Sequence, residues 1–150
     1  MAIPSLNAGE LPTGIHLTTL EEIEFAFGRQ NNRRKVLLSG LKKATQMFRE
    51  AGVRFILVDG SFVTDKEEPA DVDGCWSAAG EVDFTKIDSD FWDFNDISDF
   101  QMKRKNVKEK YRLDFFIAEL IEEGSGKPFS EFFQTNRDGY PKGILKIELN

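Results

Sequence analysis

Between Gly52 and Gly60 the chain runs through Val53, Phe55, Ile56, Leu57 and Val58, a β-branched and aromatic stretch bounded by residues that interrupt regular structure. Such a run reads as a buried strand over 53–58. It delivers Asp59-Gly60-Ser61, then a polar loop to Pro69, then Asp71-Val72-Asp73-Gly74-Cys75-Trp76. A second strand is expected over 71–76, on which successive side chains alternate, so Asp71 and Asp73 share one side and Val72 turns inward. Two carboxylates in one small volume repel and raise each other's pKa unless a cation lies between them. Oxygen-only ligands of this kind suit Mg²⁺ or Mn²⁺.

The turn before the acid pair has its own chemistry. Gly60 lets backbone approach a phosphate without a Cβ in the way, and Ser61 can donate its hydroxyl while opening a short helix whose free N–H groups attract anions. Lys66 either reaches a phosphate or is solvated beside Asp65, Glu67 and Glu68. Asp59 has two readings, turn stabilisation and metal binding, of which the first is favoured. A third strand is expected over 111–118, where Tyr111, Leu113, Phe115 and Ile117 alternate with Arg112, Asp114 and Phe116. Asp114 then lies on the face opposite the apolar set, as a third metal ligand or as an edge carboxylate paired with Arg112 or a lysine.

Gly60-Ser61 after an apolar strand, followed at a short spacing by Asp71-x-Asp73, resembles the signature of the DNA polymerase β-like nucleotidyltransferase superfamily. A longer match looks like a family of small bacterial proteins of that superfamily. It comprises 11–23, Arg33-Arg34 with Leu37-Leu38-x-Gly40-Leu41, 59–64 and 71–76. The resemblance implies an α/β (α+β) fold with a small mixed sheet flanked by helices. It implies a nucleoside triphosphate held by the Gly60-Ser61 turn, within reach of Lys66 if that side chain meets a phosphate, and two divalent metals, one between Asp71 and Asp73 and a second added by Asp114. The activity it implies is Mg²⁺- or Mn²⁺-dependent transfer of a nucleoside monophosphate to a protein or RNA acceptor, as in toxin–antitoxin systems. The alternative is a catalytically weak module that keeps the fold and binds a protein partner.

Composition sets outer bounds. The 150 residues, fourteen of them Phe, fit one domain with a real core. No apolar stretch approaches the roughly 20 residues a bilayer span needs, and the start lacks a signal-peptide pattern, so no membrane association and a cytoplasmic location are expected. The single cysteine, Cys75, cannot form an internal disulfide and reads as a small buried side chain. A formal net charge of −6 argues against sequence-independent grip on nucleic acid, and no DNA partner is expected. The charge is nevertheless polarised. Glu81, Asp83, Asp88, Asp90, Asp93, Asp96 and Asp99 face only Lys86, whereas Lys103, Arg104, Lys105, Lys108, Lys110 and Arg112 follow with only Glu109 against them. This is either a solvated face or a surface for a triphosphate, an RNA backbone or a protein partner.

The remaining expectations are local. Residues 1–17, with Pro4, Gly9, Pro12 and Gly14, read as an irregular arm, in which His16 makes a local hydrogen bond. Thr18 or Thr19 caps a helix ended by Gly28, since Glu21 and Glu22 stand at capping-box spacing. A helix over 32–51 has Leu37, Leu41, Ala44, Phe48 and Ala51 on one stripe. Arg33, Arg34 and Lys35 sit at its start, where the helix dipole disfavours cations, and are either solvated or compensated by a partner. A short helix plus loop is expected over 85–100, a short helix over 128–135 and a terminal strand or extended tail over 143–149. The glycine-rich 124–128 stretch lacks the spacing of a phosphate loop.

Overall fold

In the computed structural model, which describes residues 3–150, regular structure begins inside the stretch expected to be irregular: strand β1 spans Gly14–Thr18. Pro12 and Gly14 mask an alternating Ile15-His16-Leu17, and the partner of β1 is the last strand of the chain, which no local pattern can announce. His16 makes the expected local bond, its Nε2 donating to the Pro12 carbonyl at 2.6 Å. Helix α1 (Leu20–Phe27) starts on the capping box: the Thr19 hydroxyl accepts from the Glu22 amide, and the Gly28 amide closes on the Glu24 carbonyl. Such a cap is worth about 1 kcal/mol. Helix α2 (Asn32–Glu50) is capped by Asn31 and buries Leu37, Leu41, Ala44 and Phe48 along the expected stripe. Each of the two leucines and the phenylalanine contributes about 1.5–3 kcal/mol by leaving water.

Strand β2 (Phe55–Asp59) leads into a single 3₁₀ turn, Ser61–Val63, and β3 (Val72–Trp76) follows. The segment expected to be a short helix plus loop is two 3₁₀ turns, Phe84–Lys86 and Ser89–Phe91, and the helix comes later and longer: α3 spans Ile97–Tyr111. The basic residues therefore ride on a helix. Its only buried side chains are Val107 and Tyr111, so it lacks the apolar stripe that would have disclosed it. Arg112 ends α3 at a left-handed φ of 60°, shortening β4 to Leu113–Ile117. A two-stranded ribbon, β5 (Ile121–Glu122) and β6 (Lys127–Pro128), precedes the single helical turn α4 (Phe129–Phe132) and the closing strand β7 (Gly143–Glu148).

The architecture is a mixed α/β one. Five strands form a sheet in the order β1-β7-β2-β3-β4, parallel at both outer pairs and antiparallel at the two inner ones. Its faces differ. Ile56, Val58, Val72, Trp76, Leu113, Phe115, Leu145 and Ile147 point into the main core with α1, α2 and α3. There Phe48 stacks on Trp76 at 5.2 Å and meets Phe91 edge-on at 5.1 Å. Helices α2 and α3 cross closely because Gly40 has no Cβ; one would collide with the Tyr111 carbonyl. The other face buries a smaller cluster, Leu57, Cys75, Ala118 and Ile144, under Phe129 and Phe133, and leaves the rest of itself open as a cleft. Among the described residues no helix is long and apolar enough to cross a membrane.

Candidate functional site

Strand register builds the site. Asp59 on β2 lies opposite Asp73 on β3, and Asp73 lies opposite Asp114 on β4. Directly paired residues project to the same face, and neighbouring strands stand about 4.8 Å apart, so a row of carboxylates crosses three strands on the cleft side. Asp71, just before β3, joins the row from its end. Asp71, Asp73 and Asp114 each bring one oxygen into a set whose members all lie within 4.8 Å of one another. The three acids named from sequence thus converge.

They converge with different partners. Arg104 grips Asp114 with both arms of its fork, Nε to Oδ1 at 2.7 Å and one Nη to Oδ2 at 2.8 Å. Lys108, one turn along α3, sets its Nζ 3.6 Å from Asp114 Oδ2 and 3.8 Å from Asp71 Oδ2. On the far side Lys142 pairs with buried Asp59 at 2.6 Å. Burial still holds the Asp59 carboxyl above its usual range, against the pull of Lys142 and a hydrogen bond from the Gly60 amide. The Asp73 carboxylate has neither a hydrogen bond nor an ion pair among the described residues. Its pKa is pushed up to about 7, first by burial and then by the charges of Asp71, Asp114 and Asp59.

The turn above the row has its shape for a local reason. Gly60 adopts φ 80°, and a Cβ there would strike the Asp73 carboxylate. Gly60 and Ser61 both line the cleft, whose volume is about 1000 Å³, large enough for a nucleotide. The Ser61 hydroxyl has no hydrogen-bond partner among the described residues, whereas its carbonyl accepts from Thr64. Phe116, Phe129, Phe132 and Phe133 also line the cleft, with Phe116 and Phe129 stacked at 4.4 Å.

Lys66 is exposed and does not line the cleft; its carbonyl is tied to Arg34. That bond belongs to a clamp that sequence reasoning missed. Arg34 is buried and donates to the carbonyls of Phe27, Phe62, Thr64 and Lys66, while Arg33 donates to those of Pro69 and Ala70. Of the three cations at the start of α2, Lys35 is exposed to solvent, whereas Arg33 and Arg34 are compensated by backbone carbonyls of the same chain. The two arginines fasten the whole 62–70 loop, and so the approach to Asp71. The polarised charges of 81–112 also find one another: Lys110 bonds Asp88 and Asp90, and Lys103 bonds Asp99 and the Asp93 carbonyl. Lys105 is left outward. Of the cations around the cleft, Lys142 had no sequence signal, and Lys108 could have been found only by recognising α3 and its i, i+4 spacing from Arg104.

Cys75 is fully buried, and burial raises its thiol pKa, as suits an inert side chain. In the glycine-rich turn the amides of Gly124 and Ser125 are already taken by Glu122. The chain belongs to a family of unknown function (DUF6932), whose model matches residues 4–148. No curated protein and no solved structure matches it.

Proposed function

We propose that this protein is a metal-dependent nucleotidyltransferase of the DNA polymerase β-like superfamily, moving a nucleoside monophosphate from a nucleoside triphosphate to an acceptor hydroxyl. The observation that carries the reading is the convergence of Asp71, Asp73 and Asp114 within 4.8 Å of one another, with Asp73 and Asp114 lining the same nucleotide-sized cleft as Gly60 and Ser61. The donor set fits Mg²⁺ or Mn²⁺: it is all carboxylate oxygen and contains no nitrogen or sulfur ligand. Bound there, such an ion neutralises charge that builds up on the transferring phosphoryl group.

The residues' own tasks follow from their positions. Gly60 keeps the turn open toward the cleft, and Ser61 offers a free hydroxyl to a phosphate oxygen. Asp71 and Asp73 would hold the ion, Asp73 through a carboxylate that has no ion-pair partner among the described residues. Arg104 and Lys142 hold positive charge on either side of Asp73. In the reaction the acceptor oxygen bonds to the α-phosphorus, the bond to the β-phosphate oxygen breaks, the acceptor proton passes to a carboxylate or water, and pyrophosphate leaves. A protein acceptor is favoured over RNA, because Lys103 and Arg104 already have partners inside the molecule. A role in a toxin–antitoxin pair and a cytoplasmic setting follow by analogy with small members of the superfamily.

One observation favours the second reading, a fold-retaining module that binds a protein partner: Asp114 is already neutralised by protein cations. Incubating the purified chain with each labelled triphosphate, Mg²⁺ or Mn²⁺ and cell extract separates the two. Label on a protein or RNA that is lost in Asp73→Asn supports transfer. No label with any of the four bases and either metal, together with a co-purifying protein, supports the module.

A further inference from the structure

Asp73 stands between two neighbours that each own a cation. Asp59 has Lys142 at 2.6 Å, and Asp114 has both oxygens engaged by Arg104 and a further ammonium, Lys108, 3.6 Å away. A bidentate guanidinium–carboxylate pair is among the stronger charge-assisted contacts, and a guanidinium cannot give up its proton to escape it. Arg104 is further anchored with its guanidinium carbon 5.2 Å from the centre of the Phe116 ring. Lys108 follows from helix geometry: it lies one turn from Arg104, and its ammonium sits between Asp114 and Asp71. The lone pairs that a second metal needs on Asp114 therefore face protein cations at bonding distance, whereas Asp73 makes no ion pair among the described residues and Asp71 meets only Lys108, at 3.8 Å.

We infer that the cleft binds one divalent ion, on Asp73 and Asp71, and that Arg104 and Lys108 supply at Asp114 the positive charge that a second ion would otherwise bring. The inference rests on the metal-dependent reading above and narrows it to a one-ion site with a fixed guanidinium beside it. Arg104 and Lys108 act through Asp114, as positioning residues. A second ion has to displace a guanidinium fork and meet an ammonium, and both repel it at close range.

Titrating the full-length chain with Mn²⁺ and counting free ion by electron paramagnetic resonance tests this. Wild type is expected to bind one Mn²⁺ per chain, Asp73→Asn none, and the double variant Arg104→Gln with Lys108→Gln two. The second-site dissociation constant should tighten by at least about tenfold in the double variant. Arg104→Lys keeps the charge and should keep the count at one. Lys108→Gln alone alters a side chain that is 41 % exposed, so it preserves the fold and should also tighten the second site. Two ions of similar affinity in wild type overturn the one-ion inference and leave the metal-dependent reading standing. An unchanged count in Lys108→Gln and in a folded double variant also overturns the inference. No Mn²⁺ bound by wild type overturns the metal-dependent reading itself.

Discussion

Helices α2 and α3 pack against each other, yet they are built on opposite principles. Helix α2 faces the sheet with Leu37, Leu41, Ala44 and Phe48, and its two N-terminal arginines hold backbone carbonyls. Helix α3 buries only Val107 and Tyr111 and turns Arg104 and Lys108 toward carboxylates. A carbonyl gives an arginine one partner under all conditions. A carboxylate in an acid cluster is a partner for which a divalent ion also competes. The first helix is scaffold, and the second is part of the site's charge balance.

The sharpest break of that contrast is Phe48→Ala on the scaffold side. It removes a ring packed on Trp76, Phe91 and Phe115 and should destabilise the chain by about 3–5 kcal/mol, equally with and without Mg²⁺. Urea melts check both halves of that statement, and a loss that Mg²⁺ reverses would make α2 part of the site. Next is Arg34→Met, which strips donors from four carbonyls at once. A loss of about 3 kcal/mol is expected, together with easier proteolysis between Phe62 and Ala70. Intact protection of that loop would show that the clamp is redundant.

A third test moves to the acid row. The Asp73 carboxyl is pushed up to about 7 in the fold from its ordinary value of 3.8, so between those values the native state holds a proton that the unfolded chain has shed. Metal-free stability should therefore fall as pH rises from about 4 to 7, by up to about 1.4 kcal/mol per unit, and level off above. Asp73→Asn should flatten that decline and abolish the rise in melting temperature that Mn²⁺ is expected to give wild type under the proposed function. A slope that survives the substitution would place the titration on another group. The smallest effect is expected at the end of α3, where Arg112 occupies a left-handed conformation with φ 60°. Arg112→Gly should add about 0.5–1 kcal/mol and leave Mn²⁺ binding unchanged.

How far the sequence disclosed all this tracks the same contrast. The α2 stripe, the capping box at Thr19, the strand ending in Asp59-Gly60-Ser61 and the alternation at Asp71-x-Asp73 are local periodicities tied to burial, and the structure keeps them within a residue or two. Asp114 was legible because its strand alternates. Helix α3 was not, since a helix that works through charge leaves no apolar period. Strand β1 was hidden because its partner is remote, and the Arg33–Arg34 clamp because a side chain that bonds carbonyls of another loop has no sequence spacing to reveal it. Gly60 was identified, but for an incomplete reason. Its missing Cβ makes room for the Asp73 carboxylate, so Gly60→Ala perturbs the acid row before it tests any phosphate contact.

The parallel pairing of β1 with β7 has a consequence for how the chain is made. Gly14 meets Gly143, so β1 is synthesised well before the strand it pairs with. Closing so long a loop is entropically expensive, which puts this ladder late in folding. In the interval Ile15 and Leu17, which remain 50 % and 38 % exposed even in the finished sheet, belong to an edge strand with no neighbour. Pulse-labelled hydrogen exchange during refolding should find the β1 amides among the last to be protected. A chain halted short of β7 is expected to aggregate more readily than one that includes it, because the β1 edge stays unpaired.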